Sequence, residues 1–360
     1  MNHYYALILA GGGGTRLWPA SRKSRPKQML PLVDEGSMFR TSVERLHPLF
    51  TPDQIYVSTG QAYVNDLRAE TPQIPEKNFI IEPSARNNAA AVGLAVAVIQ
   101  KRDPEAVIAM LTADHHIGKT DVFRDVLEAA HHIAVQGNIV TLGITPTFAS
   151  TGFGYIQRGQ ELGNIDGFSY CTATRFTEKP DVVRATQFIA SGKYSWNSGM
   201  FIWQASKAMN EFERQQPDVY NLLATLQSYV DTADFESQLG KIWDQMPMIS
   251  IDFAVMEHAN DMTIIPVDIG WSDVGSWSSL YDVLQQDSYG NCGKNGFDRR
   301  IVLDARSSLV YTDKLTVVIG VEDIVVVETD DVLMICHKNR AQDVKEIVKY
   351  LHDNDMDDYL

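Results

Sequence analysis

Four consecutive glycines, Gly11–Gly14, are followed by Thr15 and Arg16 and then by Lys27 in Arg25-Pro26-Lys27-Gln28. Glycine tolerates positive φ and close backbone approach, so the N–H groups of such a loop can converge on an anion or the edge of a base. Arg16 supplies a forked, permanently charged phosphate ligand, and Lys27 a second point charge. The apolar, β-prone run Tyr4–Ala10 precedes the loop. Strand, glycine loop and two spaced cations describe a triphosphate site; the competing reading is a tight strand-to-helix turn with a surface arginine. Two better-known loops are excluded. The third glycine of G-x-G-x-x-G would fall on Arg16 or Leu17, and no lysine follows the last glycine as a P-loop requires.

Two aspartates fall beyond candidate strands, Asp114 in Leu111-Thr112-Ala113-Asp114-His115-His116 and Asp273 in Gly270-Trp271-Ser272-Asp273-Val274-Gly275. Meeting at one sheet edge, they would hold Mg²⁺, which takes one or two protein carboxylates plus substrate phosphates. For either aspartate alone, a helix N-cap or turn role is the more common outcome. Glu178-Lys179 in Phe176-Thr177-Glu178-Lys179-Pro180 sets an acceptor beside a cation, suited to a sugar hydroxyl and its phosphate, or simply an exposed pair of little energetic weight. Asn197 in Trp196-Asn197-Ser198-Gly199-Met200 offers an amide that donates and accepts beside an aromatic face, or a turn with a packed tryptophan. His115-His116 and His131-His132 are read as structural, because neighbouring helix positions point apart and no H-E-x-x-H is present. Nothing suggests a Ser/His/Asp triad or a nucleophilic cysteine.

The elements that position these residues alternate. Strand candidates Tyr4–Ala10, Gln54–Thr59, Asn78–Glu82, Ala106–Leu111 and Ile139–Gly143 are separated by helical stretches near 38–47, 61–69, 86–102 and 121–136. That rhythm predicts an α/β fold, a largely parallel sheet with helices on both faces and ligands at the carboxyl ends of strands. The segment 86–102 is apolar nearly all round and predicts a buried helix. From about 150 the pattern turns α+β, with strands near 170–177 and 199–203 and amphipathic helices through 205–246. A loop with Gly290, Gly293 and Gly296 marks the expected boundary, giving domains 1–290 and 291–360. Beyond it lie short strands (Arg300–Asp304, Ser308–Tyr311, Thr316–Gly320, Ile324–Glu328, Val332–Cys336) and a helix near 341–352, read as a small sheet or partial β-solenoid. The nearly continuous apolar runs Val325–Val327 and Val332–Ile335 predict strands covered on both faces, so this module should pack against the first domain or a second subunit. Residues 353–358 are expected to be a solvated acidic end.

The length of 360 residues suits about two domains. With 31 basic and 46 acidic residues the net charge is −15, a poor match to nucleic acid or anionic membranes. Cys171, Cys292 and Cys336 are far apart and form no metal-binding pair, as expected of reduced thiols in a cytoplasmic protein. No signal peptide or membrane-spanning run is apparent.

With these residues placed, the chain resembles the sugar-nucleotide pyrophosphorylases, and within them the mannose-1-phosphate guanylyltransferase branch. The resemblance is carried by LILAGGGGTRLWPASR (7–22), RPKQ (25–28), IEPSARN (81–87), TADHHI (112–117), GFGYI (152–156), FTEKPD (176–181), WNSGMFIW (196–203), SIDFAVME (250–257) and DIGWSDVGSW (268–277), and it runs on through 320–329 and 342–345. It departs at Asn88, where many relatives carry threonine, and longer relatives continue into a cupin-type isomerase domain for which no room is left before Leu360.

The resemblance implies a Rossmann-like (GT-A-like) catalytic domain, a mixed, mainly parallel sheet flanked by helices, with a C-terminal partial β-helix, and the reaction GTP + α-D-mannose 1-phosphate → GDP-mannose + pyrophosphate. It implies Arg16, Lys27, Asp114, Lys179 and Asp273 as catalytic residues and Asp114 with Asp273 as Mg²⁺ ligands. Gly11, Gly12, Gly13, Gly14, Thr15, Arg16, Lys27, Glu82, Asn87 and Asp114 would hold the nucleotide. Gly154, Glu178, Lys179, Asn197 and Asp273 would hold the sugar phosphate. A homodimer through residues 291–360 is also implied. The same chemistry on another base or sugar, or a catalytically silent sugar-nucleotide sensor, are the alternatives.

Overall fold

The computed structural model describes residues 1–12, 14–294 and 299–360; Gly13 of the glycine loop and Gly296 of the expected boundary lie outside them. Two compact units emerge. One comprises Met1–Ala10, Val43–Thr112 and Ile117–Trp271, the other Gly11–Ser42, Ala113–His116 and Ser272–Leu360.

The first unit is built on a nine-stranded sheet in the order Phe79–Glu82, Ile55–Gly60, Tyr4–Leu9, Val107–Thr112, Tyr194–Gln204, Ile139–Ile144, Met262–Pro266, Phe168–Thr177, Tyr155–Ile165. Tyr4–Leu9 is parallel to both neighbours, with Ala6 opposite Ile55 on one side and Ala109 on the other. The expected parallel arrangement holds for these N-terminal strands and for Met262–Pro266 beside Ile139–Ile144. Tyr194–Gln204 runs antiparallel between Val107–Thr112 and Ile139–Ile144, so the sheet is mixed, as the resemblance implies. Alternation along Tyr4–Leu9 sends side chains to both faces. Leu7 packs with the helix Asn87–Arg102, while the Tyr4 hydroxyl donates to the Leu127 carbonyl of the helix Thr120–Ala134 at 2.8 Å. Every residue from Ala89 to Ile99 is buried, as an all-apolar helix demands.

In the second unit the C-terminal strands form a short solenoid. Leu309 lies opposite Val325, Arg300 opposite Thr316 and Arg306 opposite Glu322, each pair parallel and sixteen residues apart. Leu333–His337 closes one ladder antiparallel to Ile324–Glu328. The core joins Leu309, Val325, Val327 and Leu351 to Leu17, Trp18 and Trp277, and the Trp277 indole donates to the Trp18 carbonyl at 2.9 Å. Compactness therefore groups the glycine-loop segment and residues 272–290 with the C-terminal module, a different partition from a cut at 290, because these segments share one apolar core. The expectation of strands covered on both faces is not met within one chain. Val325 and Val327 are buried, but Leu333 and Ile335 are 61% and 63% exposed, and Ile301, Leu303, Val317 and Ile319 are also exposed. The 353–358 end is exposed throughout, as expected, with Lys23 pairing with Asp357 at the surface; just beyond it the Tyr359 carbonyl accepts from the Trp18 indole at 2.7 Å. Among the described residues no helix is long and apolar enough to cross a membrane.

Candidate functional site

In the second unit the glycine loop is conformationally committed. Gly12 has φ +105° and Gly14 φ +58°, and a Cβ at Gly14 would collide with the Cβ of Lys27. Gly14 thus opens the single 3₁₀ turn Thr15–Leu17 in a left-handed conformation that an L side chain resists. Pro26 precedes a second 3₁₀ turn, Lys27–Met29, which buries Lys27. The Lys27 ammonium donates to Asp114 Oδ2 at 2.9 Å and to the Asp273 carbonyl oxygen. Burial, the largest single effect, would raise the Asp114 carboxyl; the Lys27 and His115 charges and the hydrogen bonds to Lys27 and backbone together outweigh it and hold Asp114 below the usual carboxylate range. A Cβ at Gly275 would strike the Asp273 carboxylate and lie 3.0 Å from the Arg16 guanidinium, so both side chains flank that glycine. Between Asp273 and Gly275, the fully buried Val274 holds φ +42°. A β-branched residue there costs on the order of 1–3 kcal/mol, which its surroundings must overcome. Asp273 is not a helix cap: Ser276 caps the helix Trp277–Val283. Four predicted residues from distant parts of the sequence, Arg16, Lys27, Asp114 and Asp273, are thereby brought together.

Asp114 and Asp273 supply hard oxygen donors. Among the described residues no group of three or more His, Cys, Asp or Glu is placed to hold a metal ion. Two carboxylates suit an oxygen-seeking divalent cation that completes its shell with phosphate and water. Of the paired histidines, His131 packs on Tyr4 with ring centroids 4.5 Å apart and His132 pairs with Asp166, while His115 lies 3.9 Å from Asp114.

A second group lies in the first unit. The hairpin of Tyr155–Ile165 and Phe168–Thr177 leads into Glu178, whose side chain is 9% exposed, and Lys179, 3.0 Å from it and largely open to solvent. Asn197 donates its backbone N–H to the Gly154 carbonyl at 2.8 Å. A Cβ at Gly154 would run into Glu178 Oε2 and stand 3.2 Å from the Asn197 Cβ. Gly154, Glu178, Lys179 and Asn197 are therefore neighbours. Asn197 Nδ2 in turn donates to Asp252 Oδ1 at 3.0 Å. Asp252 was not anticipated from sequence; the only signal was a carboxylate within the SIDFAVME block, behind the capping Ser250.

Glu82 and Asn87 are also in the first unit, each held by its own partner. Ser58 donates to Glu82 at 3.1 Å, while burial raises the Glu82 carboxyl against that hydrogen bond. Asn87, at φ +64°, accepts the Asn88 N–H on its own side chain at 2.8 Å. Asn88 Oδ1 accepts the Ile251 N–H at 2.8 Å, so the position that departs from many relatives ties the helix start to the segment carrying Asp252.

The nucleotidyl transferase family profile matches residues 5–289, and the MannoseP isomerase/GMP-like beta-helix domain profile matches 298–351. A mannose-1-phosphate guanylyltransferase of Salmonella typhimurium, RfbM, is 37% identical over 99% of this chain and 74% of its own length. The alginate biosynthesis protein AlgA of Pseudomonas aeruginosa is 38% identical over 96% of this chain and 71% of its own. A crystal structure from Thermus thermophilus, described as a mannose-1-phosphate geranyltransferase, superposes with a TM-score of 0.85 at 33% identity, covering 97% of this chain and 99% of that one.

Proposed function

The chain belongs to the nucleotidyl transferase family, and from that premise we propose that it transfers the guanylyl group of GTP to α-D-mannose 1-phosphate, releasing pyrophosphate. The observation that carries the reading is the convergence of Arg16 and Lys27 with Asp114 and Asp273 beside the glycine loop. A phosphate oxygen of the sugar phosphate attacks the α-phosphorus of GTP in line. The new P–O bond forms as the α–β bridging bond breaks, and its electron pair leaves with pyrophosphate. No covalent enzyme intermediate is needed, so positioning and charge neutralisation carry the catalysis.

Arg16 and Lys27 take the β- and γ-phosphates, and the backbone of Gly11–Thr15 holds the nucleotide. Asp114 and Asp273 would hold Mg²⁺, which when bound supplies further positive charge to the phosphates. Glu178 and Asn197 accept and donate to mannose hydroxyls, Lys179 neutralises the transferring phosphate, and Gly154 leaves room for the sugar. Glu82 and Asn87 read guanine. Residues 1–290 form the catalytic domain and 291–360 an assembly module. The exposed Ile301, Leu303, Val317, Ile319, Leu333 and Ile335 support a homodimer through that module. Three unpaired thiols suit a cytoplasmic setting.

The test is pyrophosphate release from a matrix of nucleoside triphosphates and sugar 1-phosphates. GTP with mannose 1-phosphate should exceed every other pair in kcat/KM by at least ~10-fold. A different preferred pair would redirect the assignment, and tight binding without turnover would mark a sensor instead.

A further inference from the structure

Asn197 is held more firmly than recognition of one hydroxyl requires. The Gly199 N–H, which can only donate, meets Asn197 Oδ1 at 3.0 Å. The amide nitrogen must therefore face Asp252 Oδ1, 3.0 Å away, and the two contacts fix which way round the amide stands. Asp252 is itself anchored. Its helix Ile251–Ala254 is capped by Ser250, and the Ile251 N–H is taken by Asn88 across the unit. Asn88 is followed by Ala89, whose N–H donates to the Ile249 carbonyl at 3.2 Å. Two backbone ties thus seat a partly buried carboxyl against the amide of a residue that already neighbours Glu178 and Gly154.

We propose that Asp252 is a specificity-determining residue of the hexose 1-phosphate site, orienting the Asn197 amide and adding a second carboxyl to the one Glu178 offers the sugar hydroxyls. This rests on the assignment of Gly154, Glu178 and Asn197 to the sugar. Two acceptors and one oriented amide discriminate between epimers, because a hydroxyl of the wrong configuration leaves one of these polar groups unpaired. Burial and the neighbouring Glu178 charge raise the Asp252 carboxyl to about 6, against the Asn197 amide and the Lys179 ammonium. Protonation weakens it as an acceptor, so sugar recognition declines as pH falls through that region.

The experiment measures initial rates of pyrophosphate release by the full chain, with GTP saturating, for the wild type, Asp252→Asn, Asp252→Ala and Glu178→Ala. Mannose 1-phosphate and glucose 1-phosphate are compared between about pH 5 and about pH 8. Asp252→Ala should raise the KM for mannose 1-phosphate by about 10-fold and lower the mannose-to-glucose ratio of kcat/KM by a similar factor. The KM for GTP should stay within about 2-fold. Asp252→Asn keeps an acceptor for the Asn197 amide, so its KM should rise by only about 3-fold, but the inflection owed to Asp252 should vanish. The substrate phosphate also titrates near ~6, and it does so in every profile, so the difference between wild type and Asp252→Asn isolates the side chain.

If both Asp252 variants keep the wild-type sugar KM, epimer ratio and pH profile while Glu178→Ala is impaired, the inference fails and the sugar-site assignment stands. If Glu178→Ala is equally unaffected, both fail. Parallel rises in the KM for GTP and for the sugar phosphate would reduce Asp252 to a structural role and overturn the inference.

Discussion

Lys27 donates to the Asp114 carboxylate at 2.9 Å, and the two side chains are 6% and 33% exposed. Replacing Lys27 by methionine keeps most of the buried stem and removes the charge. Opposite unit charges about 4 Å apart attract by about 4 kcal/mol at an effective dielectric constant of 20. Water at the one-third-exposed Asp114 screens part of this, leaving about 1–3 kcal/mol. The pH dependence has a definite sign. Against burial, Lys27 together with His115 and the backbone holds the Asp114 carboxyl below its ordinary 3.8 in the folded protein, so the pair stabilises the fold above that pH and the contribution is lost as pH falls through the folded value. Thermal unfolding in a chelator should therefore place Lys27→Met a few degrees below wild type at neutral pH, with the gap closing in acid. A double-mutant cycle with Asp114→Asn should return a coupling of about 1–3 kcal/mol at neutral pH. Turnover should fall by at least ~10²-fold, because a positioned cation at the phosphates is worth several kcal/mol in the transition state. Near-normal turnover, or a stability gap that does not change with pH, would refute the ion-pair account of Lys27.

Gly154→Ala puts a methyl group against Glu178 and Asn197, so the KM for mannose 1-phosphate should rise at least ~10-fold while that for GTP holds; steady-state kinetics decides. Asp252→Asn should also stabilise the protein. The raised carboxyl disfavours the folded state by up to about 3 kcal/mol once pH exceeds about 6, and not at all below its ordinary 3.8, so the melting temperature should rise at pH ~7.5 and stay level at pH ~3.5. Leu333→Lys with Ile335→Lys should convert a dimer to monomer in light scattering, since both side chains are more than half exposed in the single chain. An unchanged mass would move the subunit contact elsewhere.

The N-terminal strands were legible because each is a short apolar run closed by polar or glycine residues, and no observed end differs from the expected one by more than one position. Tyr155–Ile165 was not, because only its first residues are buried and the rest of Gln157-Arg158-Gly159-Gln160-Glu161 carries no apolar period. The sixteen-residue solenoid step was equally hidden. Its stacking asks only for apolar residues at matched positions, which Leu309 and Val325 satisfy without repeating any motif. At the site, Arg16, Lys27, Asp114 and Asp273 were readable from residue type and strand-end placement. Asp252 was not, since its significance comes from the Asn197 amide, 55 positions away in sequence.

Backbone conformation adds a signal that residue type lacks. Among the described residues eleven non-glycine positions hold positive φ, and three of them, Asn87, Lys179 and Val274, are proposed site residues or adjoin one. Asparagine enters this region readily, and Asn87 turns the strain to use by capping the Asn88 N–H. Valine does not enter it readily, so the conformation at Val274 must be imposed by what surrounds it. Its N–H is held by Ser272 Oγ at 3.1 Å, the next N–H donates to Asp273 Oδ1 at 3.1 Å, and its side chain is sealed in the core with Trp277 and Leu280. That clamp aims the Asp273 carbonyl at Lys27 while keeping its carboxylate beside Arg16. The strained Val274 thus sits directly after the aspartate whose carbonyl meets Lys27 and whose carboxylate lies beside Arg16.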